Sequence, residues 1–310
     1  MESVTTSGPA PDQIVERDEA RTGAPPENPE NKELIRTEQA VAGKYIGGVA
    51  WTPVIWGLGN LAIWLSLWPL VFLNILPLWA GFLIATVNVA ASYLPAHEAM
   101  HDIIARRGSR LHWMNELVGH LSMIPLILPY RVARLTHLEH HRHTNKEGLD
   151  PDYEMYGTGP VNALWRHFRN RQPGSTVGLR GYPEVLKRLG RPDVVLDGIA
   201  YQLVFYGILC ALAWNGYGIE AVLLWWLPRH IGSSYVLFFL SWAPHHTNFG
   251  TGRYGNTRAW KSALGNIGSM GMQFHIVHHL YPNIPITKTP AAYREMKPLL
   301  EARGCDLGTL

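Results

Sequence analysis

Histidine is the residue whose number and spacing most suggest chemistry. The 310-residue chain has 15 histidines, and most fall into short groups with regular internal spacing. His97-Glu-Ala-Met-His101, His137-Leu-Glu-His140-His141 and His275-Ile-Val-His278-His279 are three such groups; His245, followed by His246, stands between the last two. On a helix, positions three and four apart share a face. His97 and His101 therefore point the same way, and each HxxHH group presents its imidazoles as one cluster. His97, His101, His137, His140, His141, His245, His275, His278 and His279 make nine candidate ligands. A structural zinc site takes four ligands and a catalytic one usually three from the protein. Nine imidazoles are too many for one metal and suit two ions of five- or six-fold coordination. Imidazole serves iron as well as zinc, so the ligand type alone does not name the element.

The elements that must position these groups are apolar. Four runs are long enough, or nearly so, to cross a bilayer, which takes about 20 residues. They cover residues 45–66, 70–94, 198–214 and 218–242. Only Leu67–Pro69 separates the first two and only a short polar break at Asn215–Gly216 the last two, so each pair forms a tight hairpin. A shorter apolar stretch, Leu117–Tyr130, is interrupted by Pro125 and Pro129 and is too short to span; it reads as a half-inserted or interfacial hairpin. Every histidine group lies at one end of an apolar run or in the loops on that side, so all can converge beneath one membrane surface. The expected fold is an all-α integral membrane protein of about four transmembrane helices, with a cytoplasmic helical cap holding a di-metal histidine cluster.

Loop charge sets the expected orientation. The two hairpin connections contain no Lys or Arg, whereas the segment from His97 to Asp197 carries Arg106, Arg107, Arg110, Arg131, Arg134, Arg142, Lys146, Arg166 and Arg169 among others. The positive-inside rule puts that segment, both termini and the histidine site on the cytoplasmic face of the inner (cytoplasmic) membrane. Twelve Trp and thirteen Tyr suit aromatic belts at membrane interfaces. A net charge of +3, with no basic run interleaved with stacking aromatics, gives no footing for nucleic acid. Cys210 and Cys305 are the only cysteines and do not suggest a disulfide framework. Residues 1–40, rich in Pro, Glu, Thr and Asn, read as a disordered tail and not a signal peptide; residues 41–310 form the membrane domain. Within this boundary region, a short amphipathic helix around Lys32–Lys44 could lie on the membrane surface.

Polar residues near the boxes are candidates for orienting them. Glu98, Asp102 and Glu139 are interleaved with the histidines and could hold ligand imidazoles through the second ring nitrogen. His120 and Asn248 are further candidates around the metals. Arg229, just after Pro228 in the fourth run, is charged at bilayer depth. Such a residue marks either a polar cavity or a break in the segment.

Together, HxxxH, HxxHH and HxxHH at these separations resemble the membrane fatty acid desaturase superfamily, over about Ala96–Tyr293 with the preceding hairpin. His97–Asp102, Thr136–Asn145, Asp150-Pro-Asp152, Ala243-Pro-His245 and Phe274–Pro285 are also similar to the desaturase-type beta-carotene hydroxylases. The resemblance implies a non-haem centre of two iron ions, ligation by the nine box histidines, and O2 as oxidant. It also implies electrons from a separate ferredoxin- or rubredoxin-like carrier with its reductase. One position departs from the family pattern. Acyl desaturases often carry Asn four residues before the equivalent of His245, and Ser241 stands here, which puts transfer of the ligand set at that metal in doubt. The expected activity is desaturation or hydroxylation of a lipid C–H bond, foremost in a fatty acyl chain, with carotenoid ring hydroxylation as the alternative. A metal transporter is a more distant alternative, because transporters place ligands near the bilayer midplane on broken helices.

Overall fold

The computed structural model describes residues 29–153, 157–170, 176–246 and 250–308. Helix accounts for 68% of the structure, and no strand occurs among the described residues. The order is α1 (Pro29–Gly43), α2 (Trp51–Phe72), α3 (Leu78–Ala91), α4 (Tyr93–Met100), α5 (Trp113–Ser122), α6 (Tyr130–His143), α7 (Pro160–Asn170), α8 (Thr176–Arg188) and α9 (Asp193–Trp214). A helical run then extends to His245 as α10 (Gly218–Ala221), a π turn (Val222–Trp226), α11 (Leu227–Val236), a second π turn (Leu237–Trp242) and α12 (Ala243–His245). The chain closes with α13 (Gly265–Gly268), a 3-10 turn (Met272–Phe274), α14 (His275–Leu280) and α15 (Thr289–Ala302).

Three helical stretches are long and apolar enough to cross a membrane: Trp51–Phe72, Leu78–Met100 and Asp193–Trp214. Only 11% of the last is buried within the protein; Leu203, Val204 and Trp214 project outward, as expected of a helix whose surroundings are themselves apolar. The fourth expected span, residues 218–242, is helical, but the two π turns divide it into short pieces. The first hairpin turns later than the sequence suggested. Pro69 lies inside α2, in its last turn, where the missing N–H removes a single bond. The reversal falls instead at residues 73–77, where Asn74 has φ of +56° and Pro77 caps α3. Residues 29–40, placed by composition in the tail, are helical within α1, because Glu38 and Ala42 are buried where α1 packs on α15.

Packing between the apolar helices is close where glycine allows it. A Cβ on Gly232 would lie 2.9 Å from the backbone nitrogen of Ala90, so α11 and α3 meet nearly backbone to backbone. Trp64 Nε1 donates to the Leu224 carbonyl (3.2 Å) inside the first π turn. Its ring lies 5.0 Å from that of Trp225. Arg229 does not mark a break: the helix continues through it, and the side chain stays buried. Its Nε donates to the Leu126 carbonyl (3.1 Å), and its guanidinium sits 5.1 Å from the Phe205 ring centre.

The Leu117–Tyr130 stretch is the end of α5 followed by an irregular turn into α6. Trp225 Nε1 donates to the Pro125 carbonyl (3.0 Å), and Arg229 to the next carbonyl. Two donors one helical turn apart thus satisfy consecutive backbone acceptors of a turn that contains Ile127 at φ +53°. Such a φ is strained for a β-branched residue. The turn delivers α6, the carrier of His137, His140 and His141.

Candidate metal centre

Four elements deliver the nine box histidines. α4 with the residue after it carries His97 and His101, α6 carries His137, His140 and His141, α12 ends on His245, and α14 carries His275, His278 and His279. All nine come together. One group holds His97, His101, His137 and His278, another His140, His245 and His279, with the ligand atoms of each group within 4.8 Å of one another. His141 joins the first, its Nε2 3.1 Å from both His137 Nε2 and His278 Nε2. His275 joins the second, its Nε2 3.2 Å from His245 Nε2. The groups adjoin, since His141 stacks on His279 with ring centres 4.2 Å apart.

The second nitrogen of each ring shows what the arrangement is built for. In the second group, His140 Nδ1 is 2.9 Å from Asp150 Oδ1, a carboxylate whose side chain is fully buried, so Nδ1 carries the proton. His245 Nδ1 is 3.0 Å from the Asn256 carbonyl and must likewise donate. His275 Nδ1 faces Met272 Sδ at 3.0 Å. Thr144 gives its hydroxyl proton to the His140 carbonyl (2.6 Å) and offers a lone pair to His279 Nδ1 at 3.5 Å. With Nδ1 protonated, Nε2 of a neutral ring is a bare lone pair. Yet His140 Nε2 and His245 Nε2 lie 3.3 Å apart, lone pair toward lone pair, and His279 Nε2 is buried with no hydrogen-bond partner among the described residues. In the first group His101 Nε2 lies 2.8 Å from His137 Nε2, and both nitrogens of His97 are buried without a hydrogen-bond partner among the described residues.

A metal ion in each group would remove this conflict. Donors at right angles on a common ion, with metal–nitrogen bonds of about 2.0–2.1 Å, sit roughly 3 Å apart, which the observed separations match. The electrostatics agree: burial, reinforced by neighbouring imidazoles, holds His137, His141, His275, His278 and His279 well below the ordinary histidine value. His245 is lowered by burial and by His140 to about 3. These rings stay neutral and able to ligate. His140 is the exception. Burial opposes its charged form, but Asp150 and Asp152 outweigh burial and raise its pKa, so Asp150 makes this ring the most electron-rich donor of the set.

The acids expected to orient the rings turn elsewhere. Glu98 accepts from the backbone N–H of Ile286 at 3.1 and 3.3 Å. Asp102 pairs with Arg134 (2.9 Å) and His112 (3.0 Å). Glu139 pairs with Arg142 (2.5 Å). His120 lies against Glu116 at 3.7 Å and the edge of Tyr130, apart from the cluster. Asn248 falls outside the described residues. The groups that do orient the rings are Asp150, the Asn256 carbonyl, Met272 and Thr144. Asn145 supports two of them, donating its backbone N–H to Asp150 (2.8 Å) and its side-chain amide to the Asn256 carbonyl (2.9 Å). Asp150 and Asn145 do stand in the family-like stretches of the sequence; a backbone carbonyl leaves no sequence signal. Ser241, where many acyl desaturases carry Asn, is buried with a hydroxyl that has no hydrogen-bond partner among the described residues.

The model of the fatty acid desaturase family matches residues 73–307, which include every one of these histidines. The chain belongs to this family. It is 26% identical over 290 residues to an sn-1 oleoyl-lipid 12-desaturase of Anabaena variabilis, an alignment covering 89% of this chain and 71% of the relative. It is 25% identical over 237 residues to an sn-1 acyl-lipid omega-3 desaturase (ferredoxin) of Nostoc sp. (strain 36), covering 64% and 63%. It is also 24% identical over 241 residues to beta-carotene 4-ketolase 3 of Haematococcus lacustris, covering 71% and 63%. The chain is therefore an oxidoreductase of the desaturase family with membrane-length helices and a histidine cluster able to bind metal.

Proposed function

We propose that this desaturase-family protein holds two iron ions in its two histidine groups. With O2 and electrons from a separate ferredoxin- or rubredoxin-like carrier, it desaturates or hydroxylates an acyl chain of a lipid. The observation that carries this reading is the set of buried imidazoles whose Nε2 atoms face one another at 2.8–3.3 Å, with the Nδ1 protons of His140 and His245 already committed elsewhere. Bound iron would supply the O2-dependent oxidation of an unactivated C–H bond. In desaturation, adjacent carbons lose two hydrogens, and O2 with two supplied electrons and two protons leaves as two waters.

The protein's own contribution is positional. His97, His101, His137, His141 and His278 would hold one ion, and His140, His245, His275 and His279 the other. Asp150 and the Asn256 carbonyl fix the ring tautomers, and burial keeps water from the pocket. The four apolar runs span the membrane in this reading, with the boxes, α1 and α15 on the cytoplasmic side; the cationic central segment supports this orientation. That basic face would attract an acidic electron carrier. The relatives acting on acyl lipids favour an acyl chain as substrate, and the ketolase likeness makes a carotenoid ring the second possibility.

The test is mass-spectrometric profiling of lipids and carotenoids in a host that makes both, with His140→Ala as the inactive control. New unsaturated or hydroxylated acyl chains that vanish in the mutant are expected. Oxidised carotenoids with unchanged acyl chains would replace the acyl reading with the carotenoid one. Zinc in place of iron in the purified protein would overturn the di-iron assignment.

A further inference from the structure

The third histidine box rides on α14, a helix of only six residues. A helix this short has little stability of its own, so its placement depends on what grips its ends. Its C-terminal end is held by a buried polar cluster that includes a residue outside the family-matched region. Tyr281, two residues past His279, donates its hydroxyl to Glu38 of α1 at 2.7 Å. Tyr254 donates to the other oxygen of the same carboxyl group at 3.2 Å. Arg253 donates to the Leu280 carbonyl, the last of α14, at 3.2 Å, and lies over the Tyr254 and Tyr281 rings at 5.9 and 5.6 Å. Arg303 covers the Tyr254 ring at 4.7 Å and donates to the Asn31 carbonyl of α1 at 2.8 Å. Glu38 is 0% exposed. Burying a carboxyl group is unfavourable unless hydrogen bonds compensate it, and here the two tyrosine hydroxyls supply them.

We infer that Glu38 is a positioning residue for the metal centre. Through Tyr281 it sets the orientation of His275, His278 and His279, so that α1 is a working part of the site. This inference rests on the metal-centre reading above. Box three serves both groups, His278 in one and His275 with His279 in the other, so a slack Tyr281 would loosen both. On the far side, Glu98 grips the Ile286 N–H, and the segment between α14 and α15 is thereby held by a buried carboxyl group from each flank.

The experiment uses the full chain in detergent, titrated with Co2+ and followed by its visible ligand-field absorption, with hydrogen exchange of residues 275–286 in parallel. Tyr281→Phe keeps the ring under Arg253 and deletes only the hydroxyl; Glu38→Ala deletes the acceptor; Glu38→Gln keeps one acceptor oxygen. Tyr281→Phe and Glu38→Ala should each weaken Co2+ binding about tenfold, as loss of support behind a ligand does. They should also change the absorption spectrum and speed exchange in 275–286. Glu38→Gln should recover part of the loss, and the double variant should be no worse than either single one.

Lys44→Ala removes an exposed contact of the same region with Glu295 and should leave the spectrum unchanged. Wild-type affinity and spectrum in Tyr281→Phe would overturn the inference, whether or not Glu38→Ala folds. So would an equal effect of Lys44→Ala, which would reduce Glu38 to one docking contact among several. A wild-type protein that gave no Co2+ signal would instead sink the metal-centre reading, and the exchange data would still report whether Glu38 holds Tyr281.

Discussion

Asp150 shows how much a single side chain decides at this site. Its carboxylate accepts from His140 Nδ1 at 2.9 Å and from the backbone N–H of Asn145 and Asp152, so the ring it holds cannot turn. Asp150→Asn keeps an acceptor but loses the charge. It should lower metal affinity by about 10- to 100-fold in a metal titration of the folded protein, whereas His140→Ala should abolish product altogether. An unchanged affinity in Asp150→Asn would mean that the carboxylate serves the fold and not the ring. The remaining imidazoles give the metal-free protein a pH dependence with a definite sign. His137, His141, His275, His278 and His279 have folded pKa values lowered by burial, against about 6.5 in the unfolded chain. Above that value both states are neutral and stability is complete. Below it the unfolded chain takes up protons that the folded one refuses, and stability falls. The unfolding midpoint of metal-free protein should therefore drop between pH 7.5 and pH 5.5. A flat profile would show that the rings protonate in place.

Between the α5 and α6 helices, the decisive contacts are a close approach across the turn itself and a donor from a remote segment. A Cβ on Gly119 would lie 2.3 Å from the Tyr130 ring, so Gly119→Ala must push the first residue of α6 off its seat. Overpacking of this kind costs about 1–3 kcal/mol, and thermal unfolding should show the loss together with reduced metal content. Full retention of both would mean that α6 shifts freely. Trp225→Phe tests the other support. It leaves the Pro125 carbonyl buried without its donor, a loss of about 1–3 kcal/mol, readable as a lower unfolding midpoint at unchanged helix content. An unaltered midpoint would show that water or Arg229 replaces the indole.

For the whole molecule, the proposed membrane arrangement sets the apolar helices on one side of the buried histidine cluster and the arginine-rich segments on the other. Single cysteines at Asn74 and Lys146, in a background with Cys210 and Cys305 replaced by Ser, should react with impermeant reagents from opposite sides of the membrane, Lys146→Cys from the cytoplasm. Labelling of both from one side would overturn the orientation. An acidic carrier docking on the same face should deliver electrons more slowly as salt is raised, because surface charges are screened within about 10 Å at 0.1 M.

Much of this was legible in the sequence because two kinds of pattern are local. The i, i+3, i+4 spacing of the boxes puts imidazoles on common helix faces, and membrane-length apolar runs announce themselves by composition. All nine expected ligand positions come together accordingly. The turn of the first hairpin was misread because Pro69 looks like a breaker, yet a proline in the last turn of a helix is tolerated, and the reversal belongs to Asn74 and Pro77. The acids beside the boxes are engaged elsewhere by partners the local pattern does not reveal: the Ile286 N–H takes Glu98, Arg134 and His112 take Asp102, and Arg142 takes Glu139. What stands behind each ring is supplied by whichever segment packs there: Asp150 ten residues past His140, the Asn256 carbonyl behind His245, and Glu38 of α1 behind Tyr281. The sequence by itself determined which side chains could ligate and which segments are apolar. Only the tertiary structure decided which nitrogen of His140 and of His245 carries the proton, because that depends on hydrogen bonds to Asp150 and to the Asn256 carbonyl, each supplied by another segment of the chain.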